Sequence, residues 1–179
     1  MRKLIESTFV SLDGVVESPE KWANPFFEGE AKQYALKKLD DVDTFLLGRA
    51  SYEKFSAKWP LIRGDEYFDK INRLPKLVVS SSQQQLTWNA QLVSGDVAKE
   101  LTTLKNKPGK SILKYGTTLL DRTLFEHGLV DELNLWIMPI VLGVGRRLFE
   151  GVDPSRINLR PTGIKEFANG VVIHNFALR

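Results

Sequence analysis

Four times along this chain a short run of β character stops in small or polar residues. The runs are Arg2 to Leu12, Thr44 to Leu47, Lys76 to Val79 and Ser111 to Tyr115. Their exits read Ser11-Leu12-Asp13-Gly14, Gly48-Arg49-Ala50-Ser51, Ser80-Ser81-Ser82 and Tyr115-Gly116-Thr117-Thr118. Helical patterns lie between them. Glu28 to Leu39 carries Ala31, Ala35 and Leu39 at helical spacing, and further helices are expected from about Ser51 and from Asp65 to Arg73. Asp96 to Leu104 is capped by Gly95 or Asp96, and Thr117 to His127 is closed by Gly128. Two more strands are expected at Gln91–Val93 and Asp131–Ile140. Strands alternating with helices require a parallel sheet covered on both faces. The chain ends differently, with Ile157–Phe167 and Val171–Leu178 flanking Asn169-Gly170, a strong hairpin signal. The expected fold is therefore α/β: a three-layer α/β/α domain over residues 1–179, with a mixed, mostly parallel central sheet and a C-terminal antiparallel hairpin.

Composition removes whole classes of function. There is no cysteine, so disulfide and thiolate chemistry are excluded and a reducing, cytoplasmic location is expected. The two histidines, His127 and His174, have no metal-ligand spacing, so no metal is expected. The most apolar stretch, Leu133 to Val144, is interrupted by Asn134 and Pro139 and falls short of the ~20 residues of a membrane helix. A formal charge of +3 is spread thinly, with Lys37-Lys38 and Arg146-Arg147 the notable doublets. No basic stripe interleaves with aromatics, so no nucleic-acid partner is expected. The mild positive balance suits a small anionic ligand. No Gly-x-Ser-x-Gly elbow or Walker loop occurs, and Gly143-Val144-Gly145 reads as a turn.

In open α/β sheets, ligands bind beyond the carboxyl ends of the strands, where the four polar exits lie. The second and fourth exits open helices, whose free N–H groups and dipole favour anions. Arg49 adds a planar fork of donors that matches phosphate. Any one of these exits is also ordinary turn chemistry. Opposite them, the loop from Val15 to Phe27 carries Trp22, Phe26 and Phe27, which either stack on a flat heterocycle or cover the edge of the core. Trp59 reads as core. Asp131-Glu132 is not a working carboxylate pair, because adjacent strand residues point to opposite faces.

Taken together, Ser-Leu-Asp-Gly-Val (Ser11 to Val15), Leu-Leu-Gly-Arg-x-Ser-Tyr-Glu (Leu46 to Glu53), the strand ending in serines (Lys76 to Ser82) and Gly128 to Phe149 resemble the dihydrofolate reductase-like superfamily. Within it they are most similar to the branch containing the reductase domain of bacterial riboflavin biosynthesis, and the likeness runs from about Lys3 to Leu178. The resemblance implies NADPH as hydride donor. It implies that Gly48, Arg49 and Ser51 hold phosphates, and that Ser80 and Ser81 lie near the adenosine 2′-phosphate. Gly116, Thr117, Thr118 and Leu119 would line the pyrophosphate, with Tyr115 beside them where dihydrofolate reductases have a second glycine. Leu12 and Asp13 would border nicotinamide and substrate, Asp13 as the catalytic polar group. Trp22, Phe26, Phe27 and Glu30 are the substrate-side candidates, although neither Glu28 nor Glu30 cleanly matches the pterin-binding carboxylate of dihydrofolate reductases. The reading is a reductase of a small heterocyclic substrate. Its rival is a non-catalytic protein binding a nucleotide or pteridine-type molecule on the same fold. A homodimer is expected from the apolar excess of Leu135 to Leu142.

Overall fold

The computed structural model describes residues 1–82 and 85–178. Eight strands form one sheet: β1 (Leu4–Ser11), β2 (Val42–Gly48), β3 (Lys76–Val79), β4 (Ala90–Val93), β5 (Ser111–Tyr115), β6 (Glu132–Met138), β7 (Leu159–Glu166) and β8 (Val172–Leu178). Their spatial order is β4-β3-β2-β5-β1-β6-β8-β7. β8 runs antiparallel to both neighbours, β6 and β7, and every other pairing is parallel. The expected mixed sheet with its C-terminal hairpin is thus present.

Among the described residues, five α-helices cover it: α1 (Gly29–Lys38), α2 (Arg49–Ser56), α3 (Glu66–Arg73), α4 (Val97–Lys105) and α5 (Leu120–Glu126). Helices α1, α2 and α3 bury Ala31, Ala35, Tyr52, Tyr67 and Ile71 on the sheet face carrying Phe45, Leu113 and Trp136. Helices α4 and α5 bury Leu101, Leu124 and Phe125 on the face carrying Leu4, Leu46 and Ile112. Of the two candidate caps for α4, Asp96 is the one used, accepting from Lys99 N at 3.0 Å. Asp65 caps α3 in the same way, accepting from Tyr67 N at 3.1 Å.

One expectation is corrected in detail. The helix expected from Thr117 begins at Leu120, because Gly116 sits at φ +68° and Asp121 draws Thr118 N inward at 2.7 Å, so the turn persists to Thr118. At the hairpin, Gly170 alone is left-handed, at φ +85°, and closes onto Phe167 O at 2.9 Å. A Cβ there would lie 3.2 Å from Pro139 Cγ. The apolar run behind the expectation of a homodimer is buried only in part, since Leu135, Trp136 and Met138 face the core while Pro139 and Val141 are exposed. On β6, Leu133 and Leu135 are buried in one layer, and Trp136 and Met138 in the other.

Lys76 stands inside this fold with no exposed surface. Its ammonium donates to Asn72 O at 2.6 Å and lies 4.2 Å from the Trp88 ring centroid, while Trp88 Nε1 donates to Asn72 Oδ1 at 2.8 Å. One carbonyl and one π face replace only part of a lost hydration shell, so burial lowers the Lys76 pKa to about 8. Below that pH the folded state bears the cost of a buried charge. Above it the folded amine is neutral while the unfolded one, near 10.5, stays protonated, so this site adds stability as pH rises from about 8 to 10.5. Lys76→Met keeps the length and removes the charge. It is expected to stabilise the protein by about 1–3 kcal/mol at neutral pH. The gap to wild type should close as thermal melts are repeated towards pH 10.5; a gap independent of pH would refute this account.

Candidate functional site

Among the described residues, a cavity of about 380 Å³ opens at the carboxyl ends of β1 and β5, on the α1–α3 side of the sheet. Its walls are largely aromatic. Phe9, Phe27 and Trp136 pack at ring-centroid distances of 5.3–5.9 Å, and Tyr34 lies 6.0 Å from Trp136. Across the cavity, Phe55 stacks on Trp59 at 4.0 Å, so Trp59 is a wall residue as well as core.

The polar groups of the cavity come from sheet register. Ser7 on β1 pairs with Tyr115 on β5 and with Asn134 on β6, and Asn134 pairs with Asn175 on β8. Directly paired residues share a face, so these four side chains form one row across four strands, and all four line the cavity. Trp136 Nε1 donates to Ser7 Oγ at 3.0 Å, and the Tyr67 hydroxyl donates to that of Tyr115 at 2.9 Å. Burial raises the pKa of both phenols, so both keep their protons at neutral pH.

The turn from Gly116 to Thr118 is held from below by three buried ionisable residues on the opposite face. Glu6 pairs in register with Lys114, and the two side chains have almost no exposed surface. Lys114 Nζ bonds Asp121, lies 3.5 Å from Glu6 Oε2 and donates to Gly116 O at 2.5 Å. Asp121 Oδ2 in turn accepts from Thr118 N. Neither oxygen of Glu6 has a hydrogen-bond partner among the described residues. Burial therefore raises its pKa to about 8, against the pull of Lys114 and reinforced by Asp121. Lys114 loses proton affinity through burial but regains more from Glu6 and Asp121 and stays charged.

Of the expected site residues, Ser51, Tyr115, Gly116, Thr117, Thr118 and Phe27 line the cavity. Gly48 and Arg49 lie just beyond it at the start of α2, whose N-terminus has no side-chain cap. That start abuts the other turn, since a Cβ on Gly48 would lie 3.5 Å from Thr118 Oγ1. Arg49 donates from Nη1 to Ser82 Oγ at 3.1 Å and from Nε to Glu53 at 2.7 Å. Ser80 is buried and bonded to Ser82, and Ser81 is exposed.

The remaining candidates stand outside the cavity wall. Trp22 is buried, with Nε1 donating to Glu17 O at 2.8 Å, and Phe26 packs against the core. Glu30 is exposed on α1. Leu12 and Leu119 are 66% and 96% exposed. The Asp13 carboxylate accepts from Ser11 Oγ, Leu142 N and Gly143 N at 2.7, 3.1 and 2.8 Å, which lowers its pKa to about 2.

Sequence reasoning missed Ser7, Tyr67, Asn134 and Asn175 at the cavity, and Glu6, Lys114 and Asp121 beneath it. It also noted Arg146 only as part of a basic doublet, yet its guanidinium enters the cavity wall and donates to Thr117 O at 2.8 Å and Thr117 Oγ1 at 3.1 Å. A usable signal existed for two of them: Lys114 stands between Leu113 and Tyr115, and Asn134 between Leu133 and Leu135.

Strand order, helix placement and a cavity at the carboxyl ends define a protein of the dihydrofolate reductase-like class, with a reductase-type fold. Dihydrofolate reductase from Enterococcus faecalis, solved in complex with NADP(H) and RAB-propyl, superposes at TM-score 0.64 with 14% identity, over 99% of this chain and 96% of that one. A Shewanella sp. PV-4 protein provisionally named for riboflavin biosynthesis superposes at 0.74 with 18% identity, over 99% of both chains. The model of the RibD C-terminal domain matches residues 2–173, and the chain belongs to that family. The Bacillus subtilis (strain 168) protein YyaP, itself uncharacterised, is 31% identical over 96% of this chain and 92% of its own length.

The buried carboxyl under the turn has a measurable consequence. Between about pH 4.5 and 8 the folded protein holds a proton on Glu6 that the unfolded chain has lost, so this site's contribution to stability falls as pH rises through that window. Glu6→Gln keeps the shape and removes the titration. Its melting temperature should match wild type near pH 4.5 and exceed it at pH 8, where a gap of ~2 kcal/mol would read as roughly 4–8 °C in a chain of this size. Parallel melting curves over that range would show that Glu6 is not a protonated buried acid.

Proposed function

We propose that this protein is an NADPH-dependent reductase of a small heterocyclic substrate. The observation that carries the reading is the meeting of two strand exits. The uncapped start of α2, with Gly48, Arg49 and Ser51, lies against the Gly116–Thr118 turn at the rim of an aromatic cavity. Family membership supports it. The donors fit the group: free N–H groups at the start of an eight-residue helix, the Arg49 guanidinium beside Ser82, and Arg146 beside Thr117. NADPH, when bound, supplies a hydride.

The chain's own residues bind and orient. Arg49 and Ser82 grip the adenosine 2′-phosphate, with Ser80 and Ser81 shaping their loop. Ser51, Thr117, Thr118 and Arg146 hold the pyrophosphate at the rim, beside Tyr115, Gly116 and Leu119. Phe9, Phe27 and Trp136 exclude water from the ring that accepts the hydride. Asp13 fixes the loop of Leu142 and Gly143 next to the site, because its carboxylate is already occupied there. A non-catalytic binding protein would bind NADPH and leave it unoxidised with every acceptor, which spectrophotometric assays distinguish.

NADPH is expected to bind more tightly than NADH. A charge-assisted contact is worth roughly 1.5–3 kcal/mol, so Arg49→Ala should weaken NADPH by about ten- to a hundredfold and leave NADH nearly unchanged. Calorimetric titration of both cofactors checks this. Unchanged affinities would reduce Arg49 to its pairing with Glu53, and a folded wild type with no affinity for NADPH would remove the cofactor assignment altogether.

Dihydrofolate should be a poor substrate, turned over far below an ordinary ~10 per second. Among the described lining residues the one carboxylate is that of Glu20, and it is paired with Lys54 at 2.6 Å. Steady-state NADPH oxidation with dihydrofolate at an ordinary rate would contradict this.

A further inference from the structure

We propose that Glu6, Lys114 and Asp121 are positioning residues of the cofactor site, and that through them the seating of the cofactor's pyrophosphate at the Gly116–Thr118 turn takes up a proton. The inference rests on the cofactor reading above, since it needs an anion on that turn.

The row that carries Glu6 runs Leu46, Lys114, Glu6, Leu133 across β2, β5, β1 and β6, on the face turned away from the cavity. Leu46, Glu6 and Leu133 have no exposed surface and Lys114 almost none. Both ends of the row are leucine, so a leucine at position 6 would pack as its neighbours do. A glutamate whose oxygens have no hydrogen-bond partner among the described residues is costly there instead. Stability does not account for it.

What the carboxyl has is a short path to the turn. Lys114 Nζ lies 3.5 Å from Glu6 Oε2 and donates to Gly116 O at 2.5 Å. The same ammonium bonds Asp121, whose Oδ2 accepts from Thr118 N at 2.7 Å. Both ends of the turn thus hang on one ammonium, and Glu6 is the third group it faces. From the cavity side Arg146 reaches Thr117, which puts a fixed positive charge where the pyrophosphate meets the turn.

Two states follow. With the Glu6 proton on, Lys114 and Asp121 balance one another and the layer under the turn is neutral. With it off, that layer carries a net negative charge, Lys114 is drawn towards Glu6 and away from Gly116 O, and the anion meets a like charge beneath the turn. A buried charge of this kind is little screened. The pyrophosphate therefore favours the protonated state, and by reciprocity the protonated state favours the pyrophosphate. Among the described residues, the ionisable groups facing Glu6 are Lys114 from β5 and Asp121 from α5. From β6 comes Leu133, and on α4 Lys105 is engaged with Leu129 O and Asp131. Burial places the transition of the free protein near pH 8. Affinity accordingly falls as pH rises through about 8, and binding above that pH draws a proton from solution.

Calorimetric titration of NADPH into the full chain, in two buffers of different ionisation enthalpy, counts the protons exchanged. From about pH 7 to 9.5 the charge of NADPH is constant, because a phosphate monoester loses its second proton near pH 6. Wild type should take up roughly half a proton per NADPH near pH 8.5, and its affinity should fall about tenfold across the range. Glu6→Gln mimics the protonated state, so it should take up no proton and hold its affinity throughout; Glu6→Met, equally uncharged, repeats the comparison. Asp121→Asn removes the charge that reinforces the raised Glu6 pKa, so its affinity should begin to fall at lower pH. A purely structural cluster would shift affinity by one factor at every pH and exchange no proton. The inference is overturned if wild type binds NADPH without proton uptake, if the Gln and Met variants lose affinity with pH as wild type does, or if Asp121→Asn keeps the wild-type midpoint. NADPH bound at every pH with no proton exchanged leaves the cofactor reading standing, whereas no NADPH binding by the folded protein removes both.

Discussion

Strand β1 lies between β5 and β6 in a single register, and the site on one face and its support on the other both depend on that alignment. Side chains alternate along a strand, so odd-numbered Ser7 and Phe9 look into the cavity while Glu6 looks into the opposite layer. The pairing of Ser7 with Tyr115 and Asn134, and of Glu6 with Lys114, follows from one alignment of hydrogen bonds. A slip of one residue would exchange the faces. It would bring Glu6 into the aromatic cavity and out of reach of Lys114. Burial of β1 on both sides, by Leu4 and Val10 in one layer and Ile5 and Phe9 against the other, holds the register against such a slip.

The same alignment explains how a charged cluster can be buried in an apolar sheet. Lys114 reaches a carboxylate on α5, another on β1 and the Gly116 carbonyl at once. Two of its contacts, to Asp121 and to the Gly116 carbonyl, fall on the segment that must keep an unusual backbone. Gly116 at φ +68° and the late start of α5 are the local result. Lys105 does comparable work at the other end of that layer, donating to Leu129 O and Asp131 Oδ2, each at 2.6 Å, and so anchoring the entry to β6. Of the three buried lysines, Lys105 and Lys114 tie segments distant in sequence, whereas Lys76 has only the carbonyl of Asn72, four residues back, and the Trp88 ring.

Most of the architecture was legible because its signals are local. Lys76–Val79 and Ser111–Tyr115 stand where the apolar runs placed them. The cap at Asp96 acts through a contact three residues away, and the Asn169-Gly170 turn closes on Phe167. The candidate site was legible only at its rim. Thr117, Thr118 and Ser51 mark strand exits, and exits are visible as changes of composition. Trp22 shows the limit of that approach. It lies in the expected loop, yet its ring turns into the core and its N–H is taken by Glu17 O. Composition cannot say which way a side chain faces.

The sequence by itself determined the order of strands and helices, the small-residue exits, the hairpin and the absence of thiol chemistry, since each depends on neighbours within a few residues or on residue counts. It also carried enough of a family pattern to point to the reductase-type fold. Tertiary structure alone decided which polar residues meet. Ser7, Tyr115, Asn134 and Asn175 come from four strands spread over most of the chain, and Glu6, Lys114 and Asp121 from two strands and a helix. Their meeting is set by the pairing of strands distant in sequence, where one residue of register decides between cavity and core, and no local pattern encodes that choice.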